Sequence, residues 1–182
     1  MDEPALIVFG GLPGSGKTTL ARGAVRALAA VYLRIDVIEQ ALRDSGSLAG
    51  DVGPAGYLVA YGLAESNLRL GQSVVADCVN PLGITRAAWR RVAEQSSARL
   101  IEIEVICSDK AEHRRRVETR VSDIPGLAPP GWGSVLAHEY ETWDQPRLVV
   151  DTAGVTVANA IAAVMSKITV QNSVRFKPEN RV

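Results

Sequence analysis

The chain has 182 residues, enough for one domain with a sizeable buried core. Apolar residues make up 47% and charged residues 22%, the composition of an ordinary globular protein rather than a fibrous or disordered one. Twenty Lys and Arg balance twenty Asp and Glu, and this zero net charge argues against wholesale binding to nucleic acid or anionic membrane, leaving only a local basic patch open.

The N-terminal stretch MDEPALIVFGG opens with acidic residues and reaches an apolar run of only five, Ala5–Phe9. It is too short and wrongly charged for a secretion signal, and no stretch approaches the roughly 18 apolar residues of a membrane span. A cytoplasmic location is expected. The run reads as a strand. It leads into Gly11-Leu12-Pro13-Gly14-Ser15-Gly16-Lys17-Thr18, the pattern G-x-x-x-x-G-K-[ST], and then into a helix over Lys17–Ala30, rich in Ala, Leu and Arg. This strand–loop–helix setting suits a phosphate-binding loop. Its glycines let successive backbone N–H groups turn inward around phosphates, and the helix N-terminus adds partial positive charge. Lys17 can place a mobile ammonium on β- and γ-phosphates. Thr18 offers a hydroxyl to Mg²⁺, and Thr19 is the weaker candidate. ATP and Mg²⁺ are the expected ligands.

The second apolar run is Val31–Ile35. Its alternation puts Tyr32, Arg34 and Asp36 on one face, with Asp36 at the carboxyl end, the end that faces the ligand crevice in a parallel sheet. Asp36 can equally be the N-cap of a short helix over Val37–Arg43. Asp44–Ala55 (DSGSLAGDVGPA) reads as a mobile loop, and Gly56–Leu70 as a helix. A third strand, Ser73–Ala76, runs into Asp77, an acidic strand end of the Walker B type that would orient Mg²⁺ through water. Asn80-Pro81 marks a turn just beyond, so Asp77 also fits a turn or cap. A helix over Thr85–Gln95, a strand over Leu100–Cys107 and a helix over Lys110–Val121 follow. Cys78 and Cys107 form no C-x-x-C pair and read as buried thiols. Ser122–Gly133 packs three Pro and three Gly into twelve residues and should resist helix formation. A helix over Val135–Trp143, a strand over Arg147–Val150 and a helix over Val155–Ser166 complete the series. The tail from Gln171 is polar, although ITVQNSVRF could add an edge strand. Near-continuously apolar strands alternating with helices predict an α/β fold with a parallel sheet covered on both faces.

Asp151-Thr152-Ala153-Gly154 matches the D-x-x-G switch of GTPases. It closes the last strand rather than following the phosphate loop, and no N-K-x-D motif exists to read guanine, so that reading is rejected. On the helix after the fourth strand, Glu112, Arg116 and Arg120 share one face while Arg114 and Arg115 point elsewhere. A solvated charged face and a lid over nucleotide both fit. His113, His138, Trp89, Trp132 and Trp143 read as packing or surface residues.

Taken together, GLPGSGKT, YLRIDVIEQAL, VVADCVN and the arginine-rich helix before the Pro/Gly loop resemble the nucleoside-monophosphate-kinase-like P-loop kinases. Within them the chain looks most like small bacterial AAA-type kinases related to chloramphenicol phosphotransferase, zeta toxin and the polynucleotide 5′-kinase domain. The resemblance implies a three-layer P-loop fold whose five-stranded parallel sheet is ordered 2-3-1-4-5. It implies a kinase domain over residues 1–170, with a substrate flap over 44–70, a lid over 112–133, and a polar tail over 171–182. By the same resemblance one arginine of the Arg116/Arg120 pair lies along adenine and the other reaches phosphates, with Arg120 on the catalytic side. Thr152 lies beside adenine, and Asp36 accepts the acceptor hydroxyl's proton. Polynucleotide kinases carry an Arg three residues beyond this Asp; here stands Glu39, so nucleic acid is not the expected partner. The expected activity is transfer of the γ-phosphate of ATP to a hydroxyl of a small molecule. A polynucleotide or nucleotide-sugar kinase, and a non-enzymatic ATP-dependent switch or partner-binding module, are the alternatives. A monomer is expected, with a weak dimer as the alternative. The choice between Asp36 and Asp77 as base stays open in the sequence.

Overall fold

The computed structural model describes residues 3–47 and 50–173. Strand β1 (Ala5–Gly10) is buried along its whole length because it holds the centre of the sheet. Around it lie β2 (Val31–Arg34), β3 (Val74–Asp77), β4 (Arg99–Ile106) and β5 (Leu148–Asp151), all parallel, in the order β2-β3-β1-β4-β5. This is the order that the family resemblance implies.

The described residues also form seven helices: α1 (Lys17–Leu28), α2 (Ile35–Asp44), α3 (Ala55–Arg69), α4 (Gly83–Gln95), α5 (Lys110–Thr119), α6 (Trp132–Leu136) and α7 (Val157–Ser173). None of them is long and apolar enough to cross a membrane. Alternation along β1 divides the core in two. Ala5, Ile7 and Phe9 pack with Leu20, Ala24, Val164 and Ile168 on the side of α1 and α7. Leu6 and Val8 pack with Ala60, Ala64, Leu68 and Trp89 on the side of α3 and α4. Each fully buried large aliphatic or aromatic side chain contributes about 1.5–3 kcal/mol. Helices α1 and α7 approach closely at Gly23, where an added Cβ would lie 2.7 Å from Ile161 Cδ1.

Three sequence expectations are corrected. Helix α2 begins at Ile35, so Asp36 sits in a helical first turn rather than on the strand, and the N-cap position is Arg34, not Asp36. An acidic residue in that turn complements the helix dipole. The expected helix over Val135–Trp143 is instead the short α6, ending at Leu136. The chain beyond it is irregular and is held by Arg86, which is wholly buried on α4. Its guanidinium donates to the carbonyls of Asn80 (3.1 Å), Pro81 (2.8 Å), Glu141 (2.8 Å) and Thr142 (3.1 Å), and lies 4.2 Å from the Trp143 ring centre. Segment Ile168–Ser173 continues α7 rather than adding an edge strand. Ala160, Val164 and Ile168, four apart and all buried, give that helix one apolar face against α1. The remainder of the polar tail lies outside the described residues.

Candidate active site

The carboxyl ends of β1, β2 and β3 are in register: Phe9 pairs with Asp77, and so does Arg34. This brings the phosphate loop, Arg34 and Asp77 to one edge of the sheet, although the sequence separates them by tens of residues. The loop takes its shape from glycines with positive φ at Gly11 (141°), Gly14 (84°) and Gly16 (96°). At Gly14 an added Cβ would lie 2.5 Å from Val117 Cγ2 on α5, so close packing as well as φ excludes a side chain. His113, also on α5, is buried and bonds through Nε2 to Pro13 O at 2.8 Å, with its ring edge-on to Trp132. It is a packing residue that braces the loop. Leu12 O accepts from Ser15 N at 3.2 Å, closing the turn. Lys17 is buried, Thr18 half-buried and Thr19 exposed.

Three adjoining cavities run along this edge. The first, of about 230 Å³, is lined by Gly16, Thr19, Arg116, Thr152 and apolar residues of α1 and the β5–α7 connection. The second, of about 370 Å³, is the phosphate mouth, lined by the loop, Lys17, Thr18, Arg22, Arg34, Asp36, Arg120 and Asp123. Gly16, Thr19 and Arg116 belong to both linings. The third, of about 590 Å³, lies between α2, α3 and α4, and its lining shares a single residue, Asp36, with that of the mouth.

Arg116 donates to Thr152 Oγ1 (2.7 Å), Thr152 O (2.9 Å) and Glu112 Oε1 (2.6 Å), so it is not a solvated surface residue. The backbone N–H of Gly154, and next Arg116, hold the Glu112 carboxyl below its ordinary range. Thr152 in turn donates to Ser15 O at 2.8 Å, tying the β5–α7 connection to the phosphate loop. Arg114 pairs with Glu118 on the exposed side of α5, as its spacing predicts. Arg120 follows the last turn of α5 and lines the mouth. The D-x-x-G match is occupied locally: Asp151 accepts from Ser108 N and Ala153 N, both at 3.0 Å.

Asp77 is buried; its Oδ2 accepts from the Tyr32 hydroxyl at 2.7 Å and lies 3.8 Å from Arg34 Nε. Asp77 Oδ1, Arg34 Nε and Ser15 Oγ are buried without hydrogen-bond partners among the described residues. Buried polar atoms are normally paired, and these three, clustered beside the phosphate loop, are free to take up a polar ligand there; Asn80, Trp89, Ser96 and Glu102 also carry unpaired buried atoms. Among the described residues no group of three His, Cys, Asp or Glu could hold a metal by itself. The Asp77 carboxylate, with one oxygen unpaired, is the kind of oxygen donor that Mg²⁺ takes together with substrate phosphates. Asp36 is about a third exposed, and its Oδ2 accepts from Arg34 Nη2 at 3.3 Å.

Asp123 was not singled out in the sequence. It reaches from the Pro/Gly segment to Arg34 Nη1 (2.8 Å) and to Arg22. Hydrogen bonds from Arg34 and Arg22 pull its carboxyl down to about 2. Partners so distant along the chain leave no local signal. Tyr57 and Tyr61 of the third cavity did leave one, their spacing of four on α3. Cys78 and Cys107 are buried free thiols, and burial raises both above the ordinary range.

With this geometry in view, the sequence matches the family described as an AAA domain over residues 6–125. The chain belongs to that family. A protein of Mycobacterium tuberculosis with no assigned function is 32% identical to this AAA-domain chain over 161 residues. The alignment covers 82% of this chain but 32% of that protein, so the chain spans about a third of the relative's length. A protein of Aeropyrum pernix named "Probable adenylyl-sulfate kinase" is 26% identical over 91% of this chain and 93% of its own. Among solved structures, an adenylyl-sulfate (APS) kinase of Mycobacterium tuberculosis in complex with AMPPNP and APS has a TM-score of 0.66 at 18% identity, covering 93% of this chain and 99% of that one. A gluconokinase of Sinorhizobium meliloti has a TM-score of 0.64 at 17% identity, covering 97% and 100%. At these identities both show a shared fold.

Proposed function

We propose that this protein is an ATP-dependent kinase that phosphorylates a hydroxyl of a small molecule. The observation that carries the reading is the place of Asp36, the one residue lining both the phosphate mouth and the large third cavity. A group there can touch a phosphoryl donor on one side and an acceptor on the other. The names of the Aeropyrum pernix relative and of the two solved structures support small-molecule phosphorylation.

The first cavity takes the nucleoside of ATP, with Thr152 and Arg116 beside it, and the mouth takes the phosphates. The amides of residues 11–19 and the ammonium of Lys17 hold the β- and γ-phosphates. Thr18 and Asp77 would hold Mg²⁺, which when bound would draw charge from the phosphate oxygens. Arg120 closes over the transferring group, where a planar, permanently charged fork suits phosphate oxygens. The acceptor hydroxyl stands at Asp36. Its oxygen bonds to the γ-phosphorus as the bond from that phosphorus to the β,γ-bridging oxygen breaks. Asp36 takes the hydroxyl proton, and ADP leaves with the electron pair. Asp36 rather than Asp77 is the base, because Asp77 is buried behind Arg34 and does not line the acceptor cavity. Segment 112–133 acts as lid and segment 44–70 as substrate flap.

The test is Asp36→Asn, assayed by acceptor-dependent ADP release. General-base contributions run roughly 10²–10⁴ in rate, and loose phosphoryl transfer needs little early proton removal, so a loss of about 10–100-fold is expected. ATP affinity and melting temperature should stay put. Full turnover in the variant would remove Asp36 from the chemistry.

A further inference from the structure

The third cavity carries chemistry of its own. Its volume of about 590 Å³ lies in the small-molecule range. Leu58 on α3 and Ile84 on α4 line it while remaining 63% and 72% exposed, so both aliphatic side chains face the cavity rather than the core. Tyr57 and Tyr61 offer ring faces, because their hydroxyls are engaged elsewhere. That of Tyr57 accepts from Asn80 N at 2.9 Å, and that of Tyr61 donates to Thr85 O at 3.2 Å. Thr85 Oγ1 is likewise within 2.9 Å of Asn80 Oδ1 and 2.8 Å of Leu82 O. The polar tips are satisfied within the protein, which leaves an apolar and aromatic wall.

Charge is placed unevenly along that wall. Asp36 lies where the cavity joins the phosphate mouth, and Glu39, one turn further along α2, lines the cavity beyond it. Glu39 packs its stem against Gly56, where an added Cβ would collide with it, and pairs with Arg43 at 3.4 Å. Burial, foremost, raises its carboxyl above the ordinary glutamate range. The cationic groups of the lining are Arg91 on α4 and, when protonated, His138, both exposed. An anionic group next to the reacting hydroxyl would face these two carboxylates, which are paired with Arg34 and Arg43, across an open cavity, so the repulsion is moderate.

We propose that the acceptor is an alcohol with an aromatic or branched apolar body and no anionic group near its hydroxyl, a basic amine being favoured beside Asp36 and Glu39. The position of the hydroxyl rests on the kinase reading; the apolar body and the charge preference rest on the cavity alone.

The test uses the full chain and the neutral fluorophore N-phenyl-1-naphthylamine, which brightens in apolar surroundings. It should bind the native protein and lose at least tenfold in affinity in Leu58→Asp and in Ile84→Asp, whose exposed positions leave the melting temperature unchanged. Three competitors share a phenyl ring and a hydroxyl but differ in charge: phenylalaninol, 3-phenylpropane-1,2-diol and 3-phenyllactate. The amine and the diol should displace the fluorophore at concentrations at least tenfold below the acid. Glu39→Gln should narrow that gap. No fluorophore binding, unchanged binding in both Asp variants, or displacement by phenyllactate as strong as by phenylalaninol would each overturn the proposal. A parallel titration with ATP-Mg²⁺, with Lys17→Ala as its negative control, separates the two readings. Absent ATP binding beside normal fluorophore binding would sink the kinase reading and leave the cavity assignment standing.

Discussion

Asp123 shows how one side chain can fasten a loop over a site. Its carboxylate bridges Arg22 on α1 and Arg34 on β2, and both bonds lower its titration from an ordinary 3.8 to about 2. A group with a depressed folded value stabilises the fold fully above its unfolded value and loses that contribution as pH falls through the folded one. The difference in denaturation midpoint between the native protein and Asp123→Asn should therefore be complete above about pH 5, fall steadily below that, and vanish near pH 1. Comparing the variant with the native protein isolates Asp123 from the other carboxylates. The side chain is 45% exposed, so solvent screens the pair and the increment should be small. A gap that persists at about pH 1 would show that the bridge acts through something other than its charge.

At the scale of elements, α5 joins the phosphate loop to the first cavity. One turn of it supplies His113 and Val117 to pack the loop, while Arg116, on the neighbouring face, is tied to Thr152. Arg120 lies one turn further, at the helix end, facing the mouth. Their positions assign them different kinetic consequences. A hydrogen bond to a charged group is worth about 1.5–3 kcal/mol, a change of roughly 10–100-fold. Arg116→Ala should raise the KM for ATP by about tenfold or more with a smaller change in kcat. Arg120→Ala should lower kcat by a similar factor, because its guanidinium would meet the group in transfer. Steady-state kinetics on both variants checks the split. Equal, small effects would return both arginines to a purely structural role.

Across the whole molecule, the parallel sheet brings three strand ends to one edge, and Arg86 holds the irregular chain that closes it. Four backbone carbonyls depend on that guanidinium, two before α4 and two beyond α6. Arg86→Met should cost about 3–5 kcal/mol, since buried carbonyls lose their donors together. Arg86→Lys should recover little, because an ammonium cannot fork to four acceptors. Chemical denaturation of the two variants measures both. The sequence by itself determined the phosphate loop, the α/β class, the five strands to within a residue or two and most helices, because spacing, glycine placement and apolar runs are local properties. The family resemblance supplied the strand order. The tertiary structure alone decided that α2 starts a residue before Asp36, that α6 is short, that α7 continues to Ser173 into the segment expected as an edge strand, and that Asp123 meets Arg34. It also built the apolar cavity beside Asp36. The short α6 and the Asp123 bridge depend on groups distant in sequence, a buried arginine competing with helix propensity and a carboxylate answering two cations, and such competition is settled only when the chain is packed.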